Sequence, residues 1–370
     1  MSELDGDFST TVSLIIQIIW IILFLLLITG LNQKIQLKIW ILDIRMKLNT
    51  IQNILEEDKA KVRAILRNLG VNVPDAILGR VIDFFTIEPV DVEPTDIIKR
   101  MDHLLRTTET SVRGIIEGAL PSIGRYERSL IESSLSIISA LNIVYKVIRH
   151  YLITGERENN FILIMQLEYL MPQIMRIVQT YHEALESFTQ GRPVGDGAGP
   201  LVVYNILEKS EVKSRKVIDD TSIIEAHYKG RRLILVKAEG PGSNVGHPGA
   251  VISKIIDELK GGVDLVITID AALKLEGEET GSIAEGVGAA IGDPGPEKIA
   301  IERATSKYSI PLRAMIIKMD LKEAITTMRK EIYEACERTL SYIDKILEEN
   351  TPPNATVIIA GIGNTMGIPG

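Results

Sequence analysis

Five glycine-rich segments in the second half of the chain each carry an acid, an amide or an imidazole where chemistry would need one. GDGAGP (195–200) holds Asp196 and GDPGP (292–296) holds Asp293. An apolar run ends at Asp270 and is followed by Lys274, Glu276, Glu278, Glu279 and Glu285. GPGSNVGHPG (240–249) holds Ser243, Asn244 and His247, and GIGNTMG (361–367) holds Asn364. Carboxylates are hard oxygen donors, so Asp196, Asp270, Glu276 and Asp293 are candidate ligands for a divalent metal ion, with solvated loop carboxylates as the alternative. Glu278 and Glu279 fit that alternative better. Asp270 is the leading acid, because the end of a buried strand is where ligands sit in open α/β sheets. Asp196, Asp270 and His247 are the candidate catalytic residues. Glycine lets backbone N–H groups approach an anion, so Gly240, Gly242, Ser243, Asn244 and Gly246 form one candidate ligand-binding loop. Gly361, Gly363 and Asn364 form another. GPGSNVGHPG lacks both the GK[ST] ending of a P-loop and the GxGxxG spacing of a dinucleotide loop, so a purely structural turn competes with anion binding there. No Ser-His-Asp or Cys-His arrangement is legible. The lone Cys336 excludes a disulfide framework and any multi-cysteine zinc site.

Positioning such residues needs strands that end together. Candidate strands are Ser222–Tyr228, Arg231–Ala238, Asp264–Asp270, Leu312–Met319 and Ala355–Gly361. Lys229-Gly230 joins the first two as a hairpin turn. The others are short and apolar on both faces, and helical stretches near 248–260, 297–308 and 321–349 separate them. That pattern predicts a mostly parallel, three-layer, doubly wound α/β sheet over 191–370. Glycine usage divides the chain in the same place: 8 of the 29 glycines lie in residues 1–190 and 21 in residues 191–370.

The first half reads differently. Residues 71–190 form a helical domain, with long amphipathic stretches near 125–153 and 157–190. The run at 161–175 is apolar but interrupted by Gln166 and Glu168, which favours a buried helix over a membrane span. Mean hydropathy is +0.15 although 24% of residues are charged, so apolar residues must be concentrated somewhere. Residues 12–29 (VSLIIQIIWIILFLLLIT) carry no charge and would rise about 27 Å as a helix, enough to cross a bilayer. A single transmembrane helix is expected at 12–31, after an extracytoplasmic segment 1–11. Lys34, Lys38, Arg45 and Lys47 follow it against one acid, Asp43, and no Lys or Arg precedes it. The charge bias predicts the N-terminus outside the cell membrane and the bulk of the chain in the cytoplasm. Leu37, Ile41, Ile44, Leu48, Ile51, Leu55, Asp58, Val62, Ile65 and Leu69 then recur at alternating spacings of four and three. This heptad in a juxtamembrane stalk (32–70) serves either a homo-oligomeric coiled coil or packing against the chain's own later helices. A net charge of −8 argues against nucleic acid as a partner.

Nearly the whole chain resembles an archaeal membrane-protein family known as domain-of-unknown-function family 1512. PVGDGAGPLVV (193–203), VKAEGPGSNVGHPG (236–249), ITIDAALKLEGEETGSIAEGVGAAIGDPGP (267–296) and AGIGNTMGIPG (360–370) carry the likeness. A second resemblance concerns mechanism. GIGN, GDGAGP and the strand ending IDA are similar to signatures of the hydrogenase-maturation and spore-germination endopeptidases. Those are doubly wound α/β proteins with acids at strand ends and, in the first group, a metal engaged during recognition. The resemblance implies Asp196 and Asp270 as site acids. In those families GIGN immediately precedes GDxxGP, whereas here it closes the domain, an order that a circular permutation would reconcile. Two functional classes follow: a membrane-anchored, metal-assisted hydrolase or peptidase, and a non-catalytic tethered sensor or scaffold for a small anionic ligand or protein partner.

Overall fold

The computed structural model describes residues 12–21, 31–84, 96–292 and 295–370. The first half is helical: α1 (Val12–Ile21), α2 (Leu31–Asn68), α3 (Pro74–Ile82), α4 (Ile97–Ala119), α5 (Arg125–Arg157) and α6 (Phe161–Thr189). By packing, the chain divides into two units, Met1–Glu56 with Leu141–Val178, and Glu57–Ala140 with Gln179–Gly370.

In the first, helical unit the heptad stripe Leu37, Ile41, Ile44, Leu48, Ile51 and Leu55 of α2 is buried. It packs within the chain. Trp40 meets Phe161 at 5.1 Å between ring centroids, and Arg45 pairs with Glu156 at 2.7 Å. Lys47 pairs with Glu168 at 3.0 Å, and the Tyr145 hydroxyl donates to Gln52 at 3.3 Å. These pairings run α5 antiparallel and α6 parallel to α2, and the stripe fills the space between them. Of the span expected at 12–31, residues 22–30 lie outside the described residues, and Val12–Ile21 is a short apolar helix with exposed side chains. The expectation of one candidate span needs correction, because α5 and α6 are also long and apolar enough to cross a membrane by length and composition. Gln166 and Glu168 interrupt the uncharged run in α6, whereas hydropathy averaged over a helix tolerates isolated polar residues.

The second unit holds the remainder of α2. Asp58, the one polar heptad position, is fully buried and hydrogen-bonds His182 Nδ1 at 2.8 Å. Past Val62 the buried residue is Leu66 and Leu69 is 38% exposed. A straight helix with 3.6 residues per turn drifts off a strict seven-residue repeat, so the seam leaves the predicted positions.

The same unit contains η1 (Gly195–Gly197), α7 (Ala198–Leu207), β1 (Glu211–Ile218), β2 (Thr221–Tyr228), β3 (Arg231–Ala238), α8 (Pro248–Glu258) and β4 (Leu265–Leu273). It continues through β5 (Ile283–Val287), α9 (Pro296–Lys307), β6 (Leu312–Met319), α10 (Leu321–Ile325), α11 (Lys330–Asn350) and β7 (Thr356–Gly361). The seven strands form one sheet in the order β1-β2-β3-β7-β4-β6-β5. Lys229-Gly230 makes the β2–β3 turn with φ of 47° and 73°, the left-handed pair a two-residue hairpin requires.

The sheet is mixed, which corrects the mostly parallel expectation. β3, β7, β4 and β6 run parallel, while β1–β2, β2–β3 and β5–β6 pair antiparallel. The two strands absent from the sequence reading, β1 and β5, are the sheet's edges. β1 (EVKSRKVI) is almost wholly exposed and rich in charge, and β5 (IAEGV) is short with a glycine. Neither has the apolar run that marks a buried strand, and charged, short strands are how sheet edges resist further pairing. The three layers are present. Alternate residues of the central strands bury Leu235, Ile267 and Ile359 against α7 and α11, and Val236, Val266 and Ile358 against α8 and α9.

Candidate functional site

The carboxyl ends of the parallel strands carry the candidate residues. Ile269 on β4 sits opposite Gly361 on β7, so Asp270 lies one residue past that pairing, 5% exposed. α7 rests almost backbone to backbone on these two strands. A Cβ on Gly199 would lie 2.4 Å from the Ile269 carbonyl oxygen, and one on Gly361 would lie 2.3 Å from the Gly199 oxygen. Only glycine permits that approach. It brings η1, and with it Asp196, to the strand ends. The Asn364 N–H donates to Asp196 Oδ2 at 2.9 Å. Gly363 makes the connecting turn at φ +127°, where a Cβ would meet the Asp196 carbonyl oxygen at 2.0 Å.

The two acids therefore share one place. Burial, and then the negative charge of Asp196, push the Asp270 carboxyl up to about 8 against the opposing N–H groups of Ala271 and Gly292. Burial also raises Asp196, opposed by the Asn364 N–H. Among the described residues, neither has a lysine, arginine or histidine partner. Of the other candidate metal ligands, Glu276 is exposed on the loop after β4, and Asp293 lies outside the described residues. Among the described residues no three His, Cys, Asp or Glu side chains gather into a metal cluster.

His247 lies elsewhere. Its Nε2 stands 3.6 Å from Glu109 on α4, and its Nδ1 stands 3.3 Å from Glu297 on α9. These carboxylates, Glu109 first, raise the imidazole to about 9. Glu297 is the firmer partner physically, being closer and largely buried, whereas Glu109 is half exposed and screened by solvent. Glu297 also accepts from the Ala250 N–H at 3.0 Å. The N-terminus of α8, where the sequence suggested room for an anion, is thus capped by the chain's own carboxylate. Glu297 had no legible signal beyond being an acid in the first turn of a helix.

His247 borders a cleft of about 330 Å³ walled by α4, the start of α5, the β1–β2 turn, Ser243–His247 and Asn364. Ser243 Oγ accepts from Ser133 at 2.6 Å and from the Asn364 side-chain amide at 2.9 Å. Arg113 of α4 holds Asp220 at 2.9 Å and faces Glu132 at 3.8 Å. Asn364 is the connecting residue: its backbone N–H binds Asp196 and its side chain binds the cleft wall. Asn244 turns inward, its amide donating to the Glu239 carbonyl at 3.1 Å. Gly240, Gly242 and Gly246 are packed against Ile368, Ser129 and Thr221, where a Cβ would approach within 1.9, 2.4 and 2.6 Å. Close packing thus accounts for glycine at these three positions. Ser133, Glu109, Arg113 and Glu132 escaped the sequence reading because polar residues on an amphipathic helix look alike whether they face solvent or a cleft.

Two family models cover the chain. The N-terminal domain of DUF1512, a protein of unknown function, matches residues 18–191, and the C-terminal domain of the same family matches residues 194–369. No curated protein and no solved structure matches. The chain belongs to domain-of-unknown-function family 1512.

Proposed function

We propose that this chain is a membrane-tethered α/β protein whose Asp196–Asp270 pair binds a hard divalent cation, with metal-assisted hydrolysis of a peptide-like substrate as its reaction class. The observation that carries the reading is the pair itself: two mostly buried carboxyls, 74 positions apart in sequence (196 and 270), near enough that the charge of Asp196 raises Asp270, with no basic partner among the described residues. Such a pair is neutralised by a proton or by a cation from outside. Two carboxylates without histidine or thiolate suit an ion of the magnesium type, which keeps most of its water, and do not suit zinc. When bound, the cation would supply Lewis acidity and lower the pKa of its water. Asp196 and Asp270 would hold it, the Asn364 N–H would orient Asp196, and the Gly292 and Ala271 N–H groups would orient Asp270. The meeting of GIGN and GDGAGP through Asn364 and Asp196 also supports the likeness to the endopeptidase signatures, in permuted order. The apolar α1 and the basic residues after it support a single-pass anchor with the N-terminus outside.

A second reading, a tethered sensor without catalysis, draws on the cleft. Helices α4 and α5 form its wall, so a small anionic ligand held by Arg113 and His247 would act directly on the helical segment. The deciding experiment is thermal unfolding of the detergent-solubilised full chain at pH 8.5, with and without magnesium, manganese or calcium, followed by a peptide-hydrolysis assay. A melting temperature that rises with cation concentration, and fails to rise in Asp270→Asn and Asp196→Asn, is expected. Identical melting with every cation refutes the cation site. Cation binding without hydrolysis refutes the reaction class and leaves the cation site.

A further inference from the structure

α2 has a second apolar stripe, independent of the acid pair. Ile35, Ile39, Leu42 and Met46 are 47%, 53%, 57% and 62% exposed. Their spacing is four, three, four. At about 100° per residue they fall within an arc of roughly 60°, and the buried stripe Leu37–Leu48 lies on the opposite side of the helix. One helix therefore carries two seams, one filled by α5 and α6 and the other bare among the described residues. The bare stripe is narrow, flanked by Lys34, Lys38 and Arg45, and followed by Asn49 and Thr50. Several charges within so short a stretch make lipid a poor solvent for it.

We infer that this stripe joins two copies of the chain as a parallel, two-stranded coiled coil in the first part of α2. With Ile39 and Met46 at the a positions and Ile35 and Leu42 at the d positions, Lys38 falls at g and Asp43 at the following e position. In parallel dimers g and the next e of the partner face one another, so Lys38 of each copy meets Asp43 of the other, whose carboxylate it shares with Lys47 of that same helix. The buried residues occupy the outward c and f positions, which frees them to pack against each copy's own α5 and α6. Four seam residues per chain form a short coil, and holding both chains in one membrane raises their effective concentration. The expected seam and the inferred one share their period and differ in face.

Single cysteines test this in the full chain in its membrane. Cys336 is buried and remains as the internal control. Under mild oxidation, Ile39→Cys and Leu42→Cys are expected to shift most of the chain to twice its mass, while the off-seam Lys34→Cys and the unsubstituted chain stay single. Equal crosslinking at all three positions, or at none, overturns the inference. So does protection of positions 39 and 42 from a water-soluble maleimide without crosslinking, since that result places lipid on the stripe. All three sites are exposed, so each variant retains its fold, and leucine zipper-like pairing is further checked by loss of the dimer in Leu42→Asp.

Discussion

Replacing Asp270 with asparagine removes the charge and keeps the shape of the most confined carboxyl at the site. An aspartate in the unfolded chain titrates near 3.9, whereas burial and Asp196 hold Asp270 at about 8. Because the folded value is raised, the folded chain retains the proton. Stability from this group is full below pH 3.9 and is lost as pH climbs to about 8. At pH 7 that linkage costs the wild type about 4 kcal/mol, and at pH 4 about 0.5 kcal/mol. Asparagine has no such cost, but its NH2 group must face one of the N–H donors now serving the carboxylate, Ala271 or Gly292, a loss of about 1 kcal/mol. Asp270→Asn is therefore expected to stabilise the cation-free chain by about 3 kcal/mol at pH 7 and to be neutral or slightly destabilising at pH 4. For a domain of this size the gain at pH 7 is roughly 6–12 °C in melting temperature. Circular dichroism melts in detergent with chelator, at pH 4, 7 and 8.5, read the difference directly. A variant no more stable than wild type at pH 7, or a difference that does not change with pH, refutes a proton-holding buried acid at position 270.

Two further outcomes follow from the geometry. Glu297→Gln leaves His247 with only the half-exposed Glu109, so its pKa should fall from about 9 toward the ordinary 6.5, readable from its imidazole proton resonances across pH. In the wild type the raised value gives stability that is complete below pH 6.5 and is lost as pH rises through 9, at most about 3 kcal/mol, and Glu297→Gln should flatten that loss. Gly361→Ala places a methyl 2.3 Å from the Gly199 carbonyl, backbone against backbone, so destabilisation of at least about 3 kcal/mol is expected in denaturant titration, with detachment of α7 from the strand ends.

The central sheet and its two flanking helix layers were legible because β3, β4, β6 and β7 are apolar on both faces, a pattern only burial explains. β1 and β5 were not legible, since edge strands are made from residues that also suit loops. Asp196, Asp270 and Asn364 were legible as candidates because an acid or amide among glycines at a strand end has few structural uses. Their meeting was less so, for it depends on β7 inserting between β3 and β4, which no local pattern encodes. The role of His247 was hidden for a related reason. Its partners Glu109 and Glu297 lie far off in sequence on two helices, and only folding brings them to the imidazole. The heptad showed that α2 has an apolar face, but its period could not say whether that face meets the chain itself or a second copy.

The position of β7 bears on how the protein is made. β3 and β4 have no hydrogen bonds to one another; each pairs with β7, the last strand in the chain. Until that strand emerges from the ribosome, the nascent sheet is two separate pieces with a long, apolar gap between them. Both pieces present unpaired inner edges, the kind of surface that recruits foreign strands. When β7 does enter, it closes the gap and brings Asn364 to Asp196 in the same event. Completion of the sheet and capture of Asp196 by the Asn364 N–H are therefore a single step.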